Sequence, residues 1–159
     1  MAEEQINYNS FLNYVPLELV EKVNSLNKYL LENGHKIEIK PAARAPVVSY
    51  KHEKDKRTLF NYVFRKNFII ARLYPTHIQT YQDVLKDFSK DVIDVFKTSS
   101  ICRECNGRCP KGYRYTIDGV SYYVCRYNLM IPLSHDNFEY VETLIKNYHE
   151  IAESSNYIC

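Results

Sequence analysis

Residues 58–74 of this chain read Thr-Leu-Phe-Asn-Tyr-Val-Phe-Arg-Lys-Asn-Phe-Ile-Ile-Ala-Arg-Leu-Tyr, and this stretch decides the fold. Two runs rich in β-branched and aromatic residues meet at Lys66-Asn67, which is the pattern of a β-hairpin. A two-residue loop would give one apolar face, made of the cross-strand pairs Phe64 with Ile69, Tyr62 with Ala71, and Phe60 with Leu73. The sequence therefore predicts that this hairpin supplies the core of an antiparallel sheet.

The opposite face of the same hairpin is only half apolar. The same register places Asn61 opposite Arg72 and Leu59 opposite Tyr74. A few polar groups within an apolar surface are typical of a ligand-binding groove, and on this hypothesis Asn61, Arg72 and Tyr74 bind a ligand. The alternative is an open sheet face on which one arginine extends its charged end into water.

Segments on both sides of the hairpin predict helices and further strands. Upstream, Pro16 suits the first turn of an amphipathic helix that Asn33-Gly34 ends, and residues 35–40 and 47–50 have the alternation of strands. Downstream, Asp136-Asn137-Phe138-Glu139 has the pattern of a capping box before a final amphipathic helix. This order predicts an α+β fold with a mostly antiparallel sheet covered by helices.

Two more helices are predicted between the hairpin and the cysteine-rich segment. Thr76 can cap a helix that continues to Phe88, and Ser89 can cap another with apolar residues up to Phe96. After the cysteines, residues 128–133 indicate an apolar connection that Pro132 interrupts.

Four cysteines, Cys102, Cys105, Cys109 and Cys125, have spacings that suit a metal site. Two residues separate the first pair, three the second and fifteen the third, and close cysteine pairs recur in structural zinc sites. Residues 113–117 and 120–127 predict two strands, and the Asp118-Gly119 between them is typical of a type I′ turn. In that register Tyr113 faces Val124, Tyr115 faces Tyr122 and Ile117 faces Val120. Cys125 should therefore return opposite Gly112, beside the other three cysteines.

The local charge also favours structural zinc as the cofactor. Four thiolates around Zn²⁺ leave a net charge of about −2, and the segment carries basic side chains that compensate it: Arg103, Arg108, Lys111 and Arg114. The alternatives are reduced cysteines, a disulfide, a redox-active Cys102-Cys105 pair and an iron–sulfur cluster, and His135 could replace Cys125 on a metal. Cys159, on a polar tail, is interpreted as a bystander.

Length and composition predict one domain over residues 1–159, with flexible ends at 1–10 and 154–159 and a cysteine-rich insert at 101–127. The hydrophobic fraction is 45% and the charged fraction 25%, as in ordinary globular proteins, but the chain has 15 Tyr and no Trp. It contains neither a membrane-spanning apolar run nor a signal-peptide pattern, which predicts a cytoplasmic protein without a membrane partner. In that reducing compartment, clustered cysteines favour metal or redox chemistry over disulfides.

The fold also resembles a known family. Pro16-Leu17-Glu18-Leu19 at the start of the first helix, Leu73-Tyr74-Pro75 at the end of the central hairpin and the helix after it are similar to small YdhG-like bacterial domains. The resemblance covers about Phe11 to Phe88. It implies a compact α+β fold, and some such domains resemble ligand-binding or accessory modules. The cysteine-rich segment departs from the family pattern.

No nucleophile elbow, glycine-rich phosphate loop or zinc-protease motif occurs in the sequence. His77 and His135 are the candidate general bases, although a histidine at a helix start is more often a surface residue, so the sequence favours a protein that is not an enzyme. The favoured hypothesis is a module that binds a small molecule or a protein, with Tyr115 and Tyr122 extending the ligand-binding set and zinc keeping it rigid.

Two other functions stay open. The first is a cysteine-based redox enzyme or sensor. The second is nucleic-acid binding by residues 36–66, which hold nine Lys or Arg against three acids, although such runs are more often solvated surface. The apolar stripe of the final helix is most simply a core face, but a homodimer could use it.

Overall fold

The computed structural model describes residues 6–54, 56–66, 68–75, 77–99, 112–125 and 129–154. The chain divides into two compact units, unit 1 with residues 1–71 and 132–136, and unit 2 with residues 72–131 and 137–159. The single domain predicted from the length stays a prediction. Across these ranges, every helix is too short or too polar to cross a membrane.

The structure confirms an α+β fold. The helices are α1 (Tyr8–Leu12), α2 (Leu17–Glu32), α3 (Ile78–Tyr81), α4 (Lys90–Thr98) and α5 (Phe138–Ser154), with a 3₁₀ helix over Gln82–Asp87. The strands are β1 (His35–Lys40), β2 (Val47–His52), β3 (Thr58–Arg65), β4 (Phe68–Leu73), β5 (Tyr113–Ile117), β6 (Val120–Val124) and β7 (Met130–Pro132). They form a five-stranded antiparallel sheet of order β1-β2-β3-β4-β7 and a separate β5-β6 hairpin.

In unit 1, one face of the sheet carries a buried aromatic cluster. Tyr50 and Phe60 are directly opposite each other on β2 and β3, and their stacked rings have centroids 5.0 Å apart. The Tyr62 ring meets the Phe60 ring edge-on at the same distance, 5.0 Å. The Tyr50 hydroxyl donates a hydrogen bond of 2.7 Å to the side-chain oxygen of Asn27, which joins the sheet to α2. Of the predicted core positions of β3, Phe60 and Tyr62 are buried, and Phe64 is half-buried.

A short helix occurs where the sequence predicted flexible residues. The Asn7 side chain accepts a hydrogen bond from the backbone N–H of Ser10, and the Ser10 hydroxyl accepts one from the Asn7 N–H. This reciprocal capping satisfies two donors at the start of α1. Phe11 is then buried against Tyr62, with ring centroids 5.6 Å apart. The difference arises because α1 depends on a core partner far away in the sequence.

Two tyrosines of unit 1 predict a loss of stability at high pH. Burial raises the pKa of Tyr8 to about 12 and raises that of Tyr50 further. In the unfolded chain, tyrosine ionises near pH 10. The contribution of these two tyrosines to the free energy of unfolding is therefore fully present below about pH 10, and it is lost as the pH rises toward the higher pKa of the folded state. We expect denaturant unfolding at pH 9 and 11 to show this fall, and Tyr8→Phe to reduce it. Tyr14→Phe, at an exposed ring, is the control; an equal effect from Tyr14→Phe would contradict the assignment.

Unit 2 places α4, the β5-β6 hairpin and α5 around a second core. The Asn137 amide, just before α5, donates to the Asp91 carboxylate at the start of α4, with an N–O distance of 3.1 Å. A hydrogen bond from the Ser89 side chain lowers the pKa of the Asp91 carboxyl, and the hydrogen bond from Asn137 lowers it further by a smaller amount. The Gln82 side chain accepts a 2.9 Å hydrogen bond from the backbone N–H of Thr116 on β5.

Two segments differ from the sequence prediction. Residues expected to form one helix up to Phe88 form the short α3 and the 3₁₀ helix, and the expected connection at 128–133 contains the strand β7. The β7 segment joins β4 through a 2.9 Å hydrogen bond from the Leu73 N–H to the Leu129 carbonyl. Pro132, which has no N–H to donate, is tolerated because β7 is an edge strand.

Candidate functional site

The β5-β6 hairpin has the register that the sequence predicted. Asp118 and Gly119 both have positive φ angles, 51° and 78°, as a type I′ turn requires. The paired residues are Tyr113 with Val124, Arg114 with Tyr123, Tyr115 with Tyr122, Thr116 with Ser121, and Ile117 with Val120. Gly119 is needed here because L-residues rarely adopt its conformation. The type I′ turn therefore sets the register, and the register sets which side chains lie on each face of the hairpin.

Cys125 immediately follows β6, and its thiol is half-buried and in no disulfide within the described part of the chain. Cys102, Cys105 and Cys109 lie outside the described residues, as does Cys159. Within the described ranges, no group of three or more His, Cys, Asp or Glu side chains could hold a metal ion. The four-cysteine zinc site therefore stays a prediction.

Cys125 lies at the open end of the β5-β6 hairpin. The Tyr113–Val124 pair is the outermost pair of the register, so Gly112 and Cys125 are the next residues at the end away from the Asp118-Gly119 turn. Cys109 lies outside the described residues, so its approach to Cys125 stays a prediction.

The outer face of this hairpin carries an aromatic and cationic pair beside Cys125. The Arg114 guanidinium carbon lies 4.7 Å from the centroid of the Tyr123 ring, which is cation–π geometry. A Cβ atom at position 112 would overlap the end of the Tyr123 ring, so Gly112 allows the ring to lie against the backbone. We call Gly112, Arg114, Tyr123 and Cys125 the outer hairpin face.

Sequence reasoning did not place Gly112, Arg114 or Tyr123 in a binding set, and it considered Arg114 only as a cation that compensates the charge of the thiolates. The signal was available, because counting outward from Asp118-Gly119 places Arg114 opposite Tyr123. What the count does not give is the stacking of the two side chains or the close approach of the ring to Gly112, since both depend on rotamers.

The inner face of the hairpin contains both tyrosines that were predicted to bind ligand. The Tyr115 ring is 1% exposed, and its hydroxyl donates a 2.5 Å hydrogen bond to the Phe96 carbonyl of α4. Burial, followed by the neighbouring Tyr122, raises the pKa of Tyr115 well above its usual value. Tyr122 is half-buried, and its ring stacks on Tyr115 with centroids 6.0 Å apart. Tyr115 therefore anchors the hairpin in the core of unit 2.

The other three predicted ligand-binding residues belong to both units. In unit 1, Asn61 is buried and donates a 2.5 Å hydrogen bond to the Ser49 hydroxyl. In unit 2, Tyr74 is buried, and Arg72 is half-buried with its Nη2 3.8 Å from the Met130 sulfur. The Arg72 Nε is also buried and has no hydrogen-bond partner among the residues that the structure describes. A groove formed by Asn61, Arg72 and Tyr74 stays a prediction.

The histidines considered as general bases occupy helix starts. His77 precedes α3 and has a positive φ of 63°. The His135 side chain is largely exposed in unit 1, with Nδ1 3.6 Å from an Asp136 carboxylate oxygen. The two residues belong to different units, and each is a candidate only by its side-chain type.

Acidic side chains accompany several lysines of the basic region 36–66. Lys51 Nζ lies 2.7 Å and Lys40 Nζ 3.6 Å from Glu38 carboxylate oxygens, and Lys36 Nζ lies 3.3 Å from Glu53. The hydrogen bond from Lys51 lowers the pKa of the Glu38 carboxyl. These pairs reduce the positive charge that β1 and β2 offer to phosphate groups, which weakens the nucleic-acid hypothesis.

Comparison with known proteins finds no match to a family model, to a curated protein or to a solved structure. The resemblance to YdhG-like domains therefore stays a prediction from short motifs.

Proposed function

We propose that Cys102, Cys105, Cys109 and Cys125 bind one structural zinc ion, and that the chain is a non-enzymatic module that binds a small molecule or a protein. The observation that supports the proposal is the β5-β6 register, whose outermost pair is Tyr113 with Val124, so that Cys125 follows at the open end of the hairpin, next to Gly112 in the outward count. Two-residue and three-residue spacings among the first three cysteines suit tetrahedral thiolate ligation. A reducing compartment such as the cytoplasm keeps these thiols available.

The charge of the segment supports the same ligand set. Four thiolates with Zn²⁺ carry about −2, and basic side chains in residues 101–114 exceed the one acid, Glu104, by four to one. Nearby cations also favour the thiolate over the thiol and so favour metal binding at neutral pH. Zinc would hold the start and the end of the hairpin together, which keeps the outer hairpin face in one arrangement.

That outer face determines the chemistry of the partner. A guanidinium stacked on a ring keeps its N–H edge free for planar acceptors, and arginine binds carboxylate and phosphate groups with two parallel hydrogen bonds. Tyr123 adds rigid aromatic contact area at low entropic cost. The expected partner is therefore a peptide segment or small molecule that presents a carboxylate or phosphate beside an apolar group.

The zinc proposal is tested by elemental analysis of protein purified without added metal. We expect about one zinc ion per chain in the wild type, and loss of zinc with a lower melting temperature in Cys105→Ser, because structural zinc contributes directly to folding free energy. Cys159→Ser is the matched control and should keep both its zinc content and its melting temperature.

Two outcomes would contradict the ligand set. Zinc retained at full stoichiometry in Cys105→Ser would remove Cys105 from the site. Metal-free wild-type protein with a thiol that reacts rapidly at neutral pH would instead favour the redox hypothesis for Cys102 and Cys105. Purification under reducing conditions keeps accidental oxidation from imitating metal loss.

A further inference from the structure

Helix α2 carries an exposed stripe on the side away from its buried leucines. The stripe consists of five residues: Leu17, Glu21, Asn24, Lys28 and Leu31. Leu17 is 90% exposed and Leu31 is 45% exposed, so each end of this helix face presents a large apolar side chain to solvent. Spacings of four, three, four and three residues keep all five on one side of the helix over about 21 Å.

The order of side chains along this stripe is self-complementary. Read forwards it is apolar, acidic, amide, basic, apolar; read backwards it has the same order with the two charges exchanged. A second copy of α2 in antiparallel orientation, with a two-fold axis beside Asn24, would place Leu17 near Leu31 of the partner subunit. The same operation places Glu21 near Lys28 of the partner subunit, and it does so twice because the interface is isologous.

The centre of the stripe is already oriented by the fold. The Tyr8 hydroxyl of α1 donates a 2.7 Å hydrogen bond to the side-chain oxygen of Asn24. This bond fixes the orientation of the Asn24 amide at the centre of the stripe. A single polar residue at the centre of a helix pair is a known way to set register and orientation.

The surface beside the stripe has room for side chains of another helix. A shallow depression of about 480 Å³ follows α2 and is lined by Leu17, Val20, Glu21, Asn24, Ser25 and Lys28. Lys28 has an acidic neighbour on its own helix, Glu32, at 4.0 Å, but its side chain remains 77% exposed and can meet a second acid.

We propose that this stripe is an isologous dimer interface between two copies of the chain. The proposal is independent of the zinc site and of the outer hairpin face. One helix pair buries less area than a standard protein–protein interface, so the dimer is expected to be weak, with a Kd in the micromolar range or above. The charged pairs contribute mainly orientation and specificity.

Charge reversal tests the two-fold arrangement. Glu21→Lys and Lys28→Glu each replace two opposite-charge pairs by two like-charge pairs, and we expect each to weaken dimerisation about tenfold or more in sedimentation equilibrium. The double variant Glu21→Lys/Lys28→Glu restores both pairs and should dimerise like the wild type. An equimolar mixture of the two single variants should form a heterodimer, because every pair across the axis is then opposite in sign.

Glu18→Lys is the matched control, since Glu18 is exposed on α2 but lies about 100° around the helix from Leu17. Circular dichroism should show the same fold in all four variants. A wild type that stays monomeric up to millimolar concentration would overturn the proposal. So would single reversals that dimerise as well as Glu18→Lys, because some other surface would then join the copies.

Discussion

Replacing Tyr115 by alanine is expected to lower the free energy of unfolding of unit 2 by about 3–5 kcal/mol, the range found when large aromatic side chains are removed from a core. Its ring is almost fully buried and meets the Phe96 ring edge-on, with centroids 5.2 Å apart. The substitution leaves a cavity between the hairpin and α4. It also removes the hydroxyl that donates a hydrogen bond to the Phe96 carbonyl. Denaturant titration followed by circular dichroism measures the loss.

Two matched variants separate the parts of this effect. Tyr115→Phe keeps the ring and removes only the hydrogen bond to a buried carbonyl, so it should cost about 1–3 kcal/mol. Tyr122→Ala removes the half-buried stacking partner and should cost less than Tyr115→Ala. If Tyr115→Ala changed stability by under about 1 kcal/mol, Tyr115 would not anchor the hairpin, and its predicted role in ligand binding would become the better explanation.

The second large effect is expected in unit 1, where Phe60→Ala should also cost about 3–5 kcal/mol. Phe60 is fully buried between a stacked Tyr50 and an edge-on Tyr62, so its removal breaks both aromatic contacts. Since a domain is typically stable by only about 5–15 kcal/mol, this loss is expected to lower the melting temperature strongly. Differential scanning calorimetry follows the shift directly.

Phe68→Ala is the control for Phe60→Ala, because it deletes the same side chain at a position that is 59% exposed. Its cost should stay within about 0.5 kcal/mol, as for ordinary surface substitutions. Equal costs at the two positions would mean that the aromatic cluster of the sheet does not provide the core of unit 1.

Residues whose roles follow from local chemistry were predicted well. The Asp118-Gly119 turn determines the register of β5 and β6, because a two-residue type I′ turn matches the right-handed twist of the flanking strands. The period of the apolar residues predicted α2, and the residues of that period, Leu19, Val23, Leu26 and Leu30, are buried as expected. Strand β1 begins and ends at the predicted residues, since its alternation is bounded by Asn33-Gly34 and Pro41.

The candidate site was predicted less completely. Tyr115 and Tyr122 were placed opposite each other correctly, but the side of the hairpin that would be buried depended on α4, which is distant in the sequence. The candidate binding residues therefore lie on the other side of the hairpin, where Arg114 stacks on Tyr123 and the Tyr123 ring lies against Gly112. The self-complementary stripe of α2 depends on the exposure of Leu17 and Leu31, which the sequence alone does not predict.

By itself, the sequence determined where strands turn and which residues alternate, because turn geometry and side-chain period act over a few neighbouring positions. Only the tertiary structure decided which face of each element is covered, why α1 and β7 form at all, and which lysines have acidic neighbours. The reason is physical: burial and pairing depend on residues that are distant along the chain, and local propensity carries no information about them.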